Sequence, residues 1–167
     1  MCLAQIYEFI FVLRYLSFYI EKNLIMDTIY KAATKTTGGR NGHVKSEDGP
    51  IDMKLSLPKA LGGDGGDGAN PEQFFGAAYS ACFGGAVEAV AKKHNVEIGD
   101  YEVTAHVSLG KTEDGDLQLA VILDTYLPKV NDIETGEKII NDAHVMCPFS
   151  RATRDNIDVT LNLMLDE

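Results

Sequence analysis

Apolar and polar residues alternate over several parts of the chain, and this pattern predicts β-strands. Three short runs are separated by turns rich in Gly, Asn, Asp and Pro, and they cover residues 28–34, 43–46 and 53–57. Two longer runs, 101–109 and 117–127, flank a Gly- and Asp-rich turn and predict a hairpin. Residues 157–165 alternate again, which predicts a last strand with its apolar side facing inward.

The segment that starts at Asn70 predicts a long helix that runs to about Asn95. Asn70 can cap the helix, Pro71 suits its first turn, and Gln73 can return the capping hydrogen bond. Spacings of three and four residues place small and apolar side chains on one face: Phe75, Ala78, Tyr79, Cys82, Gly85, Ala86 and Ala89. We expect this face to be closely packed, with Cys82 buried in it.

A second helix is predicted to begin near Asn131 or Asp132 and to end before Pro148, with Cys147 at its far end. Its apolar spacing directs one set of residues towards the core: Ile133, Gly136, Ile139, Ile140 and Ala143. The order strands, helix, strands, helix, strand predicts an α+β fold, with antiparallel sheets around the long helix that carries Cys82.

Residues 1–25 have a different character, with six aromatic residues between positions 3 and 20. Glu8 and Arg14 interrupt this stretch, and no basic start followed by a small-residue cleavage site is present. We therefore expect neither a membrane span nor a signal peptide. The stretch is interpreted as an N-terminal extension, either the result of a start codon chosen upstream of Met26 or a docked helix, and residues 26–167 as one α+β domain.

The composition is that of a globular protein, with 167 residues of which 45% are hydrophobic. A formal net charge of −10 argues against binding to nucleic acid or to an acidic membrane surface, because both need clustered Lys and Arg. Without a secretion signal, we expect a cytoplasmic protein. In that compartment thiols stay reduced, so Cys82 and Cys147 are not expected to form a structural disulfide.

The two cysteines are the candidates for chemistry, and the sequence allows three interpretations. Each could be a small buried hydrophobic residue, or the pair could be redox-active. A metal site could combine Cys147 and His144 with Cys82 and either His43 or His106. No paired-ligand motif of the C-x-x-C or H-E-x-x-H kind supports a metal site, and we predict that the protein binds no metal.

Five stretches that occur in order carry a resemblance: residues 37–42 (TGGRNG), 61–63 (LGG), 70–73 (NPEQ), 81–83 (ACF) and 147–153 (CPFSRAT). From about Met26 to the C-terminus, the chain resembles the organic hydroperoxide resistance proteins of the osmotically inducible protein C superfamily. The resemblance implies an intertwined homodimer with active sites at the subunit interface. It also implies that no cofactor is bound and that an external dithiol, dihydrolipoamide or a lipoylated protein, reduces the enzyme.

The same resemblance assigns roles to four residues. It makes Cys82 the peroxidatic cysteine, Cys147 the resolving cysteine, Arg40 the group that activates the thiolate and Glu72 the carboxylate that orients Arg40. These types suit the chemistry, because only a thiolate attacks a peroxide readily and guanidinium is always charged. Ten residues separate Glu72 from Cys82, about 15 Å along a straight helix. Either the helix breaks, near Gly76, or Arg40 and Glu72 fold over the site, from the same or the partner subunit.

Aromatic residues near the two cysteines could wall an apolar pocket that favours bulky hydroperoxides over hydrogen peroxide: Phe75, Tyr79, Phe83 and Phe149. The predicted function is therefore a thiol-dependent peroxidase that reduces organic hydroperoxides to alcohols, through a sulfenic acid on Cys82 and a disulfide with Cys147. The alternative is a non-enzymatic protein of the same fold that binds apolar ligands in this pocket.

Overall fold

The structure is a computed structural model that describes residues 27–166. The chain divides into two compact units, of which the larger comprises Thr36–Val44 and Met53–Glu167. Lys45–Asp52 belongs to the smaller unit, within which Lys45 and Asp52 form an ion pair of 2.7 Å. The predicted extension at residues 1–25 lies outside the described residues, and the single domain from residue 26 stays a prediction.

Strands and helices follow one another largely in the predicted order. They are β1 (Thr34–Thr37), β2 (His43–Ser46), β3 (Asp52–Lys54), α1 (Pro71–His94), β4 (Glu102–Lys111), β5 (Leu117–Tyr126), α2 (Ile133–Met146), α3 (Pro148–Thr153) and β6 (Asp158–Met164). Two short 3-10 turns cover Gly39–Asn41 and Lys59–Leu61. One sheet has the order β1-β2-β3 and the other the order β4-β5-β6, so the α+β class is confirmed.

The first strand is shorter than the alternation predicts, because residues 27–33 form no strand. Ile29 and Tyr30 are 96% and 81% exposed. An alternating pattern forms a stable strand only where one of its faces is buried, and these side chains have no such face within the described chain. The third strand also ends early, at Lys54. Beyond it the backbone N–H groups of residues 55 and 56 donate to the carbonyls of Gly42 and Ala69.

The sheet of β4, β5 and β6 is mixed, which corrects the prediction of antiparallel sheets. β4 and β5 form the predicted antiparallel hairpin, from Glu102 opposite Tyr126 to Lys111 opposite Leu117. β6 pairs with β5 in parallel, from Ala120 opposite Asp158 onwards. A parallel pair needs a long crossover connection, and α2 with α3 supplies it.

Helix α1 packs on this sheet through its larger side chains. Tyr79, Phe83, Val87 and Val90 are at most 1% exposed and recur every three or four residues. The predicted face is therefore wrong in part: Ala78, Gly85 and Ala89 are exposed, and Cys82 is only partly buried. The spacing could not select the buried face, because α1 is apolar on nearly all sides. By length and composition it could span a membrane, but a core helix passes the same test.

Helix α2 packs its predicted apolar residues, with one exception. Gly136, Ile139, Ile140 and Ala143 are buried, whereas Ile133 is 65% exposed. Ile133 directly follows the N-cap Asp132, whose carboxylate accepts the Thr135 N–H at 2.8 Å. This exposed first position, beside the solvated cap, explains why the prediction for Ile133 was wrong.

Candidate active site

The thiols of Cys82 and Cys147 lie side by side, although 65 positions separate them in the chain. Their sulfur atoms are 3.5 Å apart, and both cysteines are free. Cys147 is fully buried, whereas Cys82 is partly buried on α1. A disulfide bond is about 2.05 Å long, so the two thiols are not bonded, and a short movement would bring the sulfur atoms to bonding distance once one of them is oxidised.

Cys147 is held at the junction between two helices. It is the C-cap of α2, where its N–H donates to the Ala143 carbonyl at 2.8 Å, and it is also the N-cap of α3. Pro148 follows at the first position of α3, where a proline ring is favourable and its missing N–H costs nothing. The sequence reasoning missed α3, because six residues are too few to show a periodicity, and Cys147-Pro148 was its only signal.

The surroundings of Cys82 favour its protonated form. Burial raises the pKa of the Cys82 thiol, a hydrogen bond from the backbone N–H of Phe149 lowers it, and the neighbouring Cys147 thiol raises it again. The net direction is upward. A reactive thiolate at this position therefore requires stabilisation beyond what its neighbours in the described chain provide.

Arg40 and Glu72 form a two-pronged ion pair, as the resemblance implied. The two guanidinium nitrogens lie 2.7 Å and 3.1 Å from the two carboxylate oxygens. The Arg40 hydrogen bond holds the pKa of Glu72 below its usual value, and the bond to Glu72 raises the pKa of Arg40. Glu72 sits in the first turn of α1, where a negative charge also complements the helix dipole.

The turn that carries Arg40 is fixed by its glycines and by Asn41. Gly38 has a φ of 72°, and a Cβ on Gly42 would lie 1.6 Å from the Thr37 carbonyl oxygen. The side-chain oxygen of Asn41 accepts the Leu57 N–H at 2.8 Å. These contacts hold the turn in one conformation, from which the Arg40 side chain reaches Glu72.

The four residues form two separate pairs within the described chain. Helix α1 runs without a break from Pro71 to His94, so the alternative with a break near Gly76 is wrong. Glu72 and Cys82 are therefore about 15 Å apart along the axis. Arg40 bonds Glu72 and makes no hydrogen bond to Cys82 in the described part of the chain.

The predicted aromatic residues differ in their contacts and in how deeply they are buried. Phe75, Tyr79 and Phe149 form a cluster with ring centroids 5.8–6.3 Å apart. Tyr79 and Phe83 are fully buried in the core. Phe75 and Phe149 are only partly buried, and both line a cleft of about 760 Å³.

The cleft lies between the β4–β5 hairpin and α3, and its lining is largely apolar. Its other lining residues are Thr112, Asp116, Leu117, Gln118, Leu119, Pro148, Ala152, Thr153, Asn156 and Ile157. Phe149 links the cleft to the cysteine pair, because its ring lines the cleft while its N–H bonds Cys82. Neither cysteine lines the cleft, so an apolar group held there would lie against Phe149 and not directly against a sulfur atom.

A buried set of hydroxyl groups was not predicted from the sequence. The Tyr79 hydroxyl donates to Ser150 Oγ at 3.0 Å and lies 3.2 Å from Thr153 Oγ1. No sequence pattern pointed to it, since Tyr79 fitted an apolar face and Ser150 and Thr153 belong to the missed helix α3.

The histidines considered as metal ligands lie in other surroundings. His106 bonds Asp124 at 2.8 Å on the sheet, and burial lowers the pKa of His144. Among residues 27–166, no three His, Cys, Asp or Glu side chains are grouped so that they could hold a metal ion. The expectation that the protein needs no metal stays a prediction.

Comparison with known proteins identifies the family. The model of the OsmC-like protein family matches residues 63–162. The chain belongs to the OsmC-like protein family. This OsmC-like protein is 46% identical over 136 residues to the organic hydroperoxide resistance protein OhrB of Bacillus subtilis, covering 81% of this chain and 98% of that protein. It is 43% identical to the organic hydroperoxide resistance protein of Xanthomonas axonopodis pv. citri, covering 81% and 94%.

Solved structures agree with this family and with the fold. The organic hydroperoxide resistance protein of Elizabethkingia anophelis superposes with a TM-score of 0.79 at 44% identity, covering 84% of this chain and 100% of that chain. OhrB of Bacillus subtilis superposes with a TM-score of 0.76 at 44% identity, covering 82% and 100%. The resemblance inferred from the five sequence stretches is thus confirmed.

Proposed function

We propose that this OsmC-like protein is a thiol peroxidase that reduces organic hydroperoxides to alcohols. A role in organic hydroperoxide resistance is supported by the names of relatives that are 43–46% identical over 136 residues. The observation that carries the finer proposal is the 3.5 Å distance between the free thiols of Cys82 and Cys147. Two thiols at this distance can pass through a sulfenic acid to a disulfide with little movement.

In the proposed cycle Cys82 is the peroxidatic cysteine, because it is the more exposed of the two. Its thiolate attacks the O–O bond of ROOH, one oxygen stays on sulfur as sulfenic acid, and ROH leaves after taking up a proton. The Cys147 thiol then attacks the Cys82 sulfur and closes the disulfide, and the hydroxyl leaves as water. Each cycle thus oxidises two thiols and reduces one hydroperoxide.

We propose that an external dithiol, dihydrolipoamide or a lipoyl group on a protein, reduces the disulfide in the cytoplasm. Cys82 is partly exposed and Cys147 is fully buried, so the attacking thiol would reach the sulfur of Cys82. This attack releases the Cys147 thiol and forms a mixed disulfide, which the second thiol of the same reductant resolves. A dithiol suits this step because its second thiol is already nearby.

We propose that the protein is a homodimer with Cys82 at the subunit interface. In this dimer Arg40 and Glu72 fold over the Cys82 site and act on its thiol. Burial raises the pKa of Cys82, and a nearby guanidinium would oppose that shift. Helix α1 also exposes the small residues Ala78, Gly85 and Ala89, which a second copy could approach closely.

The cleft beside Phe149 supports a preference for hydroperoxides with a bulky apolar group. Its volume of about 760 Å³ far exceeds that of hydrogen peroxide, and Phe75 and Phe149 line it. In this proposal Phe75 and Phe149 contact the substrate, while the buried Tyr79 and Phe83 support them from the core.

Steady-state peroxide consumption by the purified protein tests the function. We expect turnover of cumene hydroperoxide with dihydrolipoamide that exceeds turnover of hydrogen peroxide or turnover with a monothiol. Cys82→Ser should remove turnover, and Cys147→Ser should react once and stop as a sulfenic acid. Cys2→Ser, outside the described residues, is the control and should behave as wild type. A folded protein with reduced thiols and no turnover would favour the alternative, a binder of apolar ligands.

A further inference from the structure

Three hydroxyl groups lie together in the core where α1 meets α3. Tyr79 and Ser150 are fully buried and Thr153 is 6% exposed. The Tyr79 hydroxyl donates to Ser150 Oγ at 3.0 Å and lies 3.2 Å from Thr153 Oγ1. The Thr153 hydroxyl lies 3.0 Å from the Phe149 carbonyl and 3.1 Å from the Ser150 carbonyl, which share its single proton. We call Tyr79, Ser150 and Thr153 the hydroxyl cluster.

The hydroxyl cluster lies one helical turn from each cysteine along the chain. Tyr79 precedes Cys82 by three residues on α1, and Ser150 follows Cys147 by three residues. Residues three apart on a helix share a side of it. The Tyr79–Ser150 bond therefore joins α1 and α3 close to the point where the two sulfur atoms approach each other.

Among the described residues, helix α3 and its N-cap provide the two hydrogen-bonding groups that act on the Cys82 sulfur. These groups are the Cys147 thiol, 3.5 Å away, and the Phe149 N–H. The Phe149 ring also packs against Phe75 and Tyr79. Ring packing tolerates small rotations and shifts, whereas a hydrogen bond weakens steeply with angle. The hydroxyl cluster is therefore the directional part of the contact between the two helices.

We propose that the hydroxyl cluster is a positioning device for the resolving step. It keeps the Cys147 thiol beside Cys82 in the interval after Cys82 has been oxidised. This inference rests on the proposed function and goes beyond it, since it says which residues protect the enzyme from irreversible oxidation.

Two reactions compete for the Cys82 sulfenic acid. In the first, Cys82–SOH and Cys147–SH give the disulfide and water. In the second, Cys82–SOH and another ROOH give the sulfinic acid Cys82–SO₂H and ROH, a product that thiols do not reduce. Only the first reaction depends on where Cys147 lies, so a shift of α3 changes the ratio of the two products.

Tyr79→Phe tests the proposal, because it removes the hydroxyl and keeps the ring. Protein carrying Cys2→Ser is exposed to increasing cumene hydroperoxide, and mass spectrometry gives the ratio of sulfinic acid to disulfide. The ratio does not depend on how fast Cys82 is first oxidised. We expect this ratio to rise about fivefold at a given hydroperoxide concentration, the factor that one hydrogen bond of ordinary strength represents. Tyr126→Phe, which removes a surface hydroxyl bonded to Asp166, should leave it unchanged.

Stability and positioning are separated by Ser150→Ala and by the double variant Tyr79→Phe/Ser150→Ala. Tyr79→Phe leaves the buried Ser150 hydroxyl without its Tyr79 partner, whereas in Ser150→Ala the Tyr79 hydroxyl keeps Thr153 Oγ1 at 3.2 Å. The double variant removes both hydroxyls of the Tyr79–Ser150 bond and should recover part of the stability that Tyr79→Phe loses. We expect the double variant to keep the high ratio of sulfinic acid.

An unchanged ratio of sulfinic acid to disulfide in both single variants would overturn the proposal. So would a double variant in which this ratio returns to the wild-type value as stability recovers. If wild type yields neither product with hydroperoxide, the proposed function fails first. That result is distinct, because it appears before any variant of the hydroxyl cluster is compared.

Discussion

The Cys82 sulfur has neighbours that act on its pKa in opposite directions. Burial is the largest influence and raises the pKa, the N–H of Phe149 lowers it, and the Cys147 thiol raises it. The resolving partner thus makes the attacking thiolate harder to form, at the same time as it stands ready for the second step. The position of Cys147 therefore affects both halves of the proposed cycle.

Cys147→Ala should lower the pKa of Cys82. The thiolate fraction at a given pH is then larger, so the pH profile of Cys82 alkylation by iodoacetamide shifts to lower pH. The rate is measured on the Cys82 peptide by mass spectrometry, in protein that carries Cys2→Ser. Val145→Ala, at a side chain that is 70% exposed, is the control and should leave the profile unchanged. A profile that stays in place or moves to higher pH in Cys147→Ala would contradict this account of the site.

At the scale of residues, the sequence predicted partners better than surroundings. The resemblance placed Arg40 with Glu72 and Cys82 with Cys147, and the structure has both pairs. It did not predict that Tyr79 makes a hydrogen bond in the core. Such a bond needs a partner 71 positions away, and nothing local to either residue marks it.

At the scale of elements, local chemistry decided what could be predicted. The start of α1 was predicted correctly because a capping box lies in four residues: Asn70 Oδ1 accepts the Gln73 N–H at 2.9 Å, and Gln73 Oε1 accepts the Asn70 N–H at 3.0 Å. The parallel pairing of β6 and the buried face of α1 depend on packing between distant segments. The sequence pattern of neither segment contains that information.

Asn70→Ala should destabilise the protein through the start of α1. Loss of an N-cap acceptor costs about 1 kcal/mol in free energy of unfolding, which a urea titration measures. Asn70→Ser keeps an acceptor at this position and should lose much less. Equal losses in both variants would contradict the role given to the capping bond, since only one variant lacks it.

At the scale of the whole molecule, the described chain leaves two features unexplained, and the first is the exposed side of α1. Ala78, Gly85 and Ala89 are small and exposed. Apart from Gly85, its two chain neighbours and the backbone of its own helix, no heavy atom of the described chain lies within 4 Å of the place where a Gly85 side chain would begin. The distance between the Arg40–Glu72 pair and Cys82 along the helix is the second such feature. The proposed homodimer accounts for both.

Ala89→Arg should prevent the proposed homodimer from forming. A charged side chain on this surface would be buried without a partner, which costs several kcal/mol. Sedimentation equilibrium should give twice the chain mass for wild type and for the control Ala89→Ser, and the mass of one chain for Ala89→Arg. Wild type that sediments as a single chain would contradict the homodimer, and so would Ala89→Arg with an unchanged mass.

The central claim is that Cys82 and Cys147 act as one redox couple, and the mass of the protein after a single oxidation tests it most directly. Reduced protein is treated with one equivalent of cumene hydroperoxide, and intact mass and peptide mapping are recorded. The account predicts the loss of two hydrogen atoms and one peptide that joins Cys82 to Cys147. Thiols that remain free, or oxygen added to other residues with no such bridge, would contradict it.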